Sequence, residues 1–401
     1  MIYHYIAFFC FLCYDIVVFL KEGDNVRYRI EHDALGDKQI SAEAYYGIHT
    51  LRGKENFELT KRGLNRQMIK ALATIKKSAA RANADLDLLP EEYAKVIGLS
   101  SDEILNGRLH GQFITDFIQG DSGSSMNMNA NEVIANRANE MLGSKKGLYD
   151  QIDPIKHVNL GQSAYDVIPT AGKIALTRQT KKLIVEIKKL VNTFTAKSNL
   201  CKNDLIQNET LRQTFDAFSL VLNRDMKRMD SALESLLDLN VGVSLVGDHS
   251  KFIKKLVAYI SKFTGEPFRP AKNYIDSTIN LDCFLQLSSA LKTLAVDLLK
   301  ISNDLRFIGG NNYGDISLPL VQELITKKSE VVNSTILEAV NQVCFYAIGL
   351  DATITHAIEL TQLETNENLP IILYSLFESI NTLRRVIRTF REKAIEDIII
   401  K

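Results

Sequence analysis

The sequence has few cysteines and lacks the spacings that metal sites use. Its five cysteines include one Cys-x-x-Cys pair, Cys10 and Cys13, which does not recur, and its seven histidines form neither His-x-x-x-His nor His-Glu-x-x-His. Structural zinc sites and disulfide frameworks depend on repeated spacings of this kind. We therefore expect no metal site and no disulfide network, and a reducing, cytoplasmic environment fits the composition best.

The chain also lacks an excess of charge and the glycine motifs of nucleotide-binding folds. Lys+Arg and Asp+Glu number 48 each over 401 residues, which argues against nucleic acid or an acidic membrane surface as a partner. Neither a Rossmann glycine pattern nor a Walker motif occurs. We expect no cofactor.

The first 26 residues differ from the rest. The segment "MIYHYIAFFCFLCYDIVVFL" is apolar over 20 residues apart from His4 and Asp15, a length that is compatible with a membrane span. Asp15 lies inside the run, and the basic start and small-residue cleavage site of a signal peptide are both missing. We interpret residues 1–26 as a non-native extension, with a membrane anchor as the less favoured alternative.

The remaining sequence predicts long helices. One apolar stripe steps by three or four residues for about seven turns, as an amphipathic helix requires; its members are Leu211, Phe215, Phe218, Leu222, Met226, Met229, Leu233 and Leu236. The polar residues between them, among them Asp225 and Arg228, are interpreted as a solvated or polar-packed face. A second stripe runs from Leu64 to Leu86 and stops before Pro90.

Further helical patterns cover about 172–198, 281–306, 334–363 and 371–399. Glycine and proline are scarce within them and cluster between them, as in "GEPFRP" and "GGNNYG". Strand signals are few, and "QISAEAYYGIHT" fits either a strand or an extended loop. Long helices bury their apolar stripes best against one another, so we predict a mainly α, long-helix bundle.

One turn stands out as an anion site. In "GDSGSSMNMNANEVIAN" (Gly120–Asn136), small residues run into a predicted helix. Backbone N–H groups of a first helical turn, together with unhindered hydroxyl groups, suit a bound anion. The turn therefore predicts an anion-binding site, without saying which anion.

Several ordered motifs resemble one family. They are "RIEHDALGDKQISAEAYYGIHTLRGKENF" (Arg29–Phe57), "QGDSGSSMNMNANE", "HVNLGQSAYDVIPT" (His157–Thr170) and "NQVCF" (Asn341–Phe345). Together they resemble the aspartase/fumarase superfamily, and within it the aspartate ammonia-lyases. The resemblance runs from about residue 27 to residue 399.

The resemblance implies a fold and an assembly. It implies a small N-terminal α domain, here residues 27–149, and a central long-helix bundle domain, here residues 150–401. The family's small C-terminal domain would begin about where the chain ends, at Lys401. It also implies a homotetramer in which motifs of three chains build each active site, and a turn that holds a carboxylate of a dicarboxylic substrate.

The family reaction sets what such a site must contain. Converting L-aspartate to fumarate and ammonia requires a base for a weakly acidic C–H proton and donors for the charge that develops on the neighbouring carboxylate. The family supplies the base and a carboxylate-binding lysine on a flexible loop of pattern Gly-Ser-Ser-x-Met-Pro-x-Lys-x-Asn. These roles are implied by the resemblance.

That loop has lost its reactive side chains in this sequence. It falls on residues 324–333, "LITKKSEVVN", with Ile325 at the catalytic serine position and Thr326 at the second serine position. Val331 stands at the lysine position, while Asn333 is retained. Isoleucine accepts no proton and valine binds no carboxylate. Because the segment lacks glycine, we predict a helix or ordered turn here.

Two further motifs depart from the family. The family's Ser-Thr-Asn falls on Ser163, Ala164 and Tyr165, of which only Ser163 remains. The family's Gly-Arg-Thr-His/Gln falls at residues 199–202, with Cys201 and Lys202 at its end, and is lost.

The anion-binding turn is itself altered. It keeps Ser122, Ser124 and Asn127, but Met126 replaces a threonine and Asp121 replaces a small neutral residue. A carboxylate at Asp121 repels the anion that the turn would hold.

The leading hypothesis is an aspartase-like protein with little or no lyase activity, which persists as a homotetramer or as a non-catalytic subunit beside an active paralogue. Removal of one preorganised donor typically lowers a rate ~10²–10³-fold, and here the base, the lysine and several donors are replaced together.

Two alternatives remain open. A working lyase would use replaced groups, for which Lys202, Tyr165, Cys201 and Asp166 are the candidates. A dicarboxylate-binding module without catalysis would use the retained polar residues, which are Ser122, Ser124, Asn127, Ser163 and Asn333.

Overall fold

The computed structural model describes residues 27–201, 206–241, 250–309, 315–319, 321, 335–363 and 365–401. The apolar segment 1–26, Lys202 and the segment 324–333, with Ile325, Thr326, Val331 and Asn333, lie outside these residues. The ordered conformation expected for 324–333 therefore stays a prediction.

Helices dominate the described chain, as the periodicity predicts. The eleven α-helices of this part are α1 (Ile48–Asn56), α2 (Arg66–Ala84), α3 (Glu91–Leu105), α4 (Ser124–Met141), α5 (Ala164–Leu200), α6 (Ile206–Ser235), α7 (Ser250–Thr264), α8 (Tyr274–Ile279), α9 (Asp282–Ile308), α10 (Thr335–Glu359) and α11 (Leu369–Phe390). The strands are short: β1 (Tyr28–Asp33) pairs antiparallel with β2 (Gly36–Ser41), β3 (Asp238–Leu239) parallel with β4 (Arg269–Pro270), and β5 (Ile316–Ser317) antiparallel with β6 (Ile399–Ile400).

The long helices pack side by side around one core. α5 packs against α6 and α11, α9 against α6 and α10, and α10 against α11. The α6 stripe faces this core as predicted, because every member is buried except the half-buried Met226. Phe194 of α5 lies at its centre, with its ring centroid 5.4 Å from that of Phe218 and 6.5 Å from that of Phe390. The mainly α, long-helix bundle is confirmed.

α5 begins earlier than the apolar periodicity predicts. Ser163 accepts a hydrogen bond from the Tyr165 N–H, and the Asp166 carboxylate accepts one from the Ser163 N–H, which together form a capping box. Pro169 is the sixth residue of α5, so it lacks the N–H that would bond to the Tyr165 carbonyl oxygen, and the helix nevertheless continues past it. Further along, α11 packs so closely that a Cβ at Gly172 would collide with Leu373.

One detail differs from the prediction. The helix predicted over 371–399 ends as α11 at Phe390, and the chain continues through a π-helical turn, Arg391–Ile395, into β6. Asp225, expected on a solvated or polar-packed face, takes the polar-packed arrangement, since it is fully buried and accepts a hydrogen bond from Arg228. In "QISAEAYYGIHT", residues up to Ser41 belong to β2, and α1 starts at Ile48.

Two buried carboxylates organise the segment Arg29–Phe57. Glu132 of α4 accepts hydrogen bonds from the N–H groups of Gly47, His49 and Thr50 at 2.8–3.1 Å. Glu31 of β1 accepts one from the Ile48 N–H at 2.9 Å. These N–H groups have no acceptor within the helix, and the negative charge of the two carboxylates beside them stabilises the start of α1. The hairpin and α1 are thereby fixed against α4.

None of the helices in the described ranges is long and apolar enough to cross a membrane.

Candidate active site

The predicted anion-binding turn precedes α4 and is backbone-strained. Asp121 and Ser122 have φ values of 51° and 52°, and Gly123 follows at 90°. Left-handed φ is ordinary for glycine but uncommon for aspartate and serine. Such strain persists only where surrounding contacts hold it, and it concentrates at functional sites. The strained backbone therefore makes this turn a candidate binding site.

The hydroxyl group of Ser122 is committed within the chain. Ser122 is only 1% exposed, and its Oγ donates a hydrogen bond to the carbonyl oxygen of Thr365, just before α11. Ser124 is half-buried as the first residue of α4. Of the two retained serines, Ser122 therefore serves the packing of the turn against the start of α11.

Two replaced positions contact each other across the site. The Tyr165 hydroxyl donates a hydrogen bond to Asp121 Oδ1 at 3.1 Å. The carboxylate at Asp121 raises the pKa of Tyr165, through this hydrogen bond first and its charge second. A phenol with a raised pKa is less often deprotonated at neutral pH, so it is less available as a general base than an ordinary tyrosine. The turn therefore carries a carboxylate of its own, to which Tyr165 of α5 donates a hydrogen bond.

Ser163 and Asp166 are occupied by the capping box that starts α5. Asp166 is 1% exposed, and its Oδ1 lies 2.9 Å from the Ser163 nitrogen. Ala164, at the position where the family carries a threonine, is the first residue of the helix. These residues lie beside the turn, but their polar groups stabilise the helix N-terminus.

A buried lysine behind the turn was not identified from the sequence. Lys76 of α2 is fully buried, and its Nζ donates to Asn159 Oδ1 at 2.7 Å. Asn127 Nδ2 donates to the same oxygen at 3.3 Å, and Asn127 Oδ1 is buried with no partner among the described residues. Burial lowers the pKa of Lys76 to about 7, and the charge of Asp166 opposes this shift.

The sequence pattern of α2 indicates that Lys76 is a candidate for a buried lysine. Lys76 lies four residues after Leu72, on the same helical face as that buried stripe residue. A lysine on an apolar face is a candidate for a buried, perturbed group. Asn159, in the loop before α5, carried no comparable signal.

Cys201 lies far from the turn within one chain. It follows the last residue of α5, and this 37-residue helix is about 55 Å long at 1.5 Å per residue. Cys201 is 2% exposed, its thiol donates to the Lys197 carbonyl oxygen, and burial raises its pKa. The structure thus brings the turn, Ser163, Tyr165 and Asp166 together, and leaves Cys201 at the opposite end of the bundle.

Comparison with known proteins agrees with the fold and the motifs. A family model described as lyase matches residues 36–349. An aspartate ammonia-lyase of Bacillus sp is 38% identical over 390 residues, covering 93% of this chain and 83% of the relative. An aspartate ammonia-lyase of Helicobacter pylori strain J99 is 39% identical over 388 residues, covering 92% and 83%.

Solved structures of a fumarate lyase and a fumarase share the fold of this chain. The fumarate lyase:delta crystallin of Brucella melitensis, in its native form, has a TM-score of 0.86 at 35% identity, covering 93% of this chain and 89% of that one. The class II fumarase of Schistosoma mansoni has a TM-score of 0.87 at 27% identity, covering 94% and 85%. By its sequence and its fold, this chain belongs to the lyase family of the aspartase/fumarase superfamily.

Proposed function

We propose that this chain is an aspartase-type member of the family with little or no lyase activity, which acts as a non-catalytic subunit. The observation that carries the proposal is the contact between Asp121 and Tyr165. In the family, the turn holds a substrate carboxylate. Here the Asp121 carboxylate, which belongs to the chain itself, accepts a hydrogen bond from the Tyr165 hydroxyl.

Electrostatics opposes a substrate in this turn. Two like charges 4 Å apart repel by about 4 kcal/mol at an effective dielectric constant of 20. Asp121 is exposed, so solvent screens part of this repulsion. Even so, a dicarboxylate meets a negative charge where the family offers donors. We therefore expect the turn to bind both the dicarboxylate substrate and its transition state weakly.

The sequence of the catalytic loop supports the same conclusion. Ile325 and Val331 stand at the positions of the base and of the carboxylate-binding lysine. Neither side chain has a group that accepts a proton or binds an anion. Loss of the base removes a catalytic contribution of roughly 10²–10⁴-fold. Together with the altered turn, this argues for a site that is not built for elimination.

Two features of the chain support a subunit role. The family composes each site from three chains, and here Cys201 lies a helix length away from the turn. The bundle helices also expose large apolar side chains: Val185, Leu220, Val296, Phe345 and Tyr346 are 43–62% exposed. Exposed apolar side chains of this size are typical of association surfaces when they cluster. A homotetramer, or a mixed assembly with an active paralogue, would cover them.

Turnover of the full chain tests the proposal. Purified protein is incubated with L-aspartate, fumarate formation is followed by ultraviolet absorbance, and an active aspartate ammonia-lyase serves as the control. We expect at least a 10⁴-fold lower rate, because the base and several donors are missing. A rate within tenfold of the control, retained through further purification, would refute it.

A second candidate is a working lyase that uses other groups than the family loop, and the buried Lys76, which is not one of the replaced positions, is the observation that favours it. Its lowered pKa, near 7, would suit a general base. Tyr165 and Cys201 suit that role less, because the pKa of each is raised. If any turnover is found, Lys76→Met should abolish it under this second candidate.

A further inference from the structure

A basic cavity lies between three helices, away from the turn. It has a volume of about 450 Å³ and is lined by Asn65, Arg66, Gln67, Gln179, Lys182, Asn381, Arg384 and Arg385. Four of these eight residues are cationic and none is acidic. They come from the start of α2, the middle of α5 and the last turns of α11. Such a convergence of like charges needs an explanation.

The cations of the cavity, which are Arg66, Lys182, Arg384 and Arg385, form no ion pair with a carboxylate of the described residues. Arg388, on the same helix, is by contrast paired with Glu392 at 3.0 Å. Desolvation lowers the pKa of Lys182, and the nearby positive charges of Arg178 and Arg384 lower it further. Like-charge repulsion of this kind is relieved when an anion binds.

Neutral groups of the cavity are oriented and incompletely satisfied. Asn65 Oδ1 accepts hydrogen bonds from the Gln67 N–H at 2.9 Å and from Gln179 Nε2 at 3.0 Å. These bonds fix the amide of Gln179, because an oxygen in place of its Nε2 would meet another acceptor. Gln179 is 4% exposed, and its Oε1 is buried with no partner in the described residues. The hydrogen bond to Asn65 thus holds the Gln179 side chain in a fixed orientation in the wall of the cavity.

We propose that the basic cavity is a binding site for a small phosphorylated metabolite that carries several negative charges. Arg384 and Arg385 offer planar guanidinium donors that match phosphate oxygens, and Lys182 adds a point charge. A diphosphate or triphosphate group carries about three to four charges and matches the four cations. The volume suits a nucleotide-sized molecule. This site is separate from the turn and does not depend on the proposed loss of activity.

Calorimetric titration of the full chain with ATP and with inorganic pyrophosphate, at constant ionic strength, tests the proposal. We expect saturable binding of both probes and none of adenosine, which lacks the phosphates. Arg384→Gln and Lys182→Gln should each weaken binding about tenfold, since each removes one charge-assisted hydrogen bond. Arg388→Gln, the matched control on α11, should leave the affinity unchanged.

Three results would overturn the proposal. The first is no heat of binding with either probe. The second is an equal loss of affinity in Arg388→Gln, which would indicate nonspecific attraction to a basic surface. The third is tighter binding of a polyglutamate peptide than of pyrophosphate, which would make the cavity a docking site for an acidic protein segment. Melting curves of every variant establish that it is folded, and Arg385→Gln provides an exposed substitution if Arg384→Gln is unstable.

Discussion

At the scale of single residues, the polar side chains of the predicted site make contacts within the chain. Ser122 bonds to the segment before α11, and Ser163 caps α5. Asp121 and Tyr165 bond to each other. Each of these contacts uses a polar group that a ligand would otherwise need. The altered site therefore consists of satisfied structural interactions, with Asn127 Oδ1 as an exception in the described part of the chain.

Lys76 makes stability depend on pH in a defined direction. Its pKa is lowered to about 7 in the folded chain, against about 10.4 in an unfolded one. Between these values the unfolded state binds more protons, so stability rises as pH rises from 7 toward 10. The limiting slope is about 1.36 kcal/mol per pH unit.

The measurement is the free energy of unfolding, from denaturant titration, of wild type and Lys76→Met at pH 7 and pH 9. We expect the difference between the two proteins to shift by about 2 kcal/mol in favour of wild type at pH 9. A difference that is the same at both values would mean that Lys76 titrates normally.

Some contacts and burial states of single residues could not be predicted from the sequence. The motif comparison located the turn and Tyr165, because replaced positions are visible in a sequence. It could not show that Asp121 and Tyr165 touch, since they are 44 positions apart. Nor could it show that Asp225 is buried, because a charged residue beside an apolar stripe normally faces water.

At the scale of elements, the retained part of the Ser-Thr-Asn motif is a helix cap. The capping box of Ser163 and Asp166 starts α5, which spans the bundle from end to end. Such a role accounts for a serine that remains where its neighbours have changed. It also accounts for a helix start eight residues earlier than the predicted one (164 against 172).

Ser163→Ala tests this structural role. Loss of an N-cap hydroxyl typically costs ~1 kcal/mol of stability, so we expect a lower free energy of unfolding by that amount. Ser231→Ala, an exposed serine on α6, is the matched control and should change stability by less than ~0.5 kcal/mol. Equal effects of the two substitutions would argue against the cap.

Element boundaries were the less predictable part of the fold. The long apolar periodicities of α2, α6, α9 and α10 placed these helices within a few residues, because burial of a stripe is encoded locally. The end of α11 was missed: its apolar residues continue to Ile395, and only the pairing of β6 with β5, a contact distant in sequence, shows where the helix stops.

At the scale of the whole molecule, the bundle keeps its family architecture. A TM-score of 0.86 with a fumarate lyase accompanies a turn that carries its own carboxylate. Core residues are constrained by packing, whereas site residues are constrained by a ligand. Under the proposed function, selection for assembly alone would retain the scaffold and not the site.

Co-expression with an active aspartate ammonia-lyase paralogue tests this subunit role. We expect native mass spectrometry of affinity-purified protein to show mixed oligomers, because family sites require several chains. The bundle-face variant Leu220→Glu should prevent assembly by placing a charge in an apolar contact, while Lys188→Glu, which changes an exposed charged side chain, serves as a comparison. Only monomers of this chain, under conditions where the paralogue forms oligomers, would contradict the role.

The most direct test of the central claim is whether the altered turn still binds a dicarboxylate. The melting temperature of the full chain is measured with increasing fumarate, beside an active aspartate ammonia-lyase. A ligand that binds the native state at a concentration 100 times its Kd stabilises it by about 2.7 kcal/mol. We predict no shift for this chain and a clear rise for the active enzyme; a comparable, saturable rise in both would contradict the account.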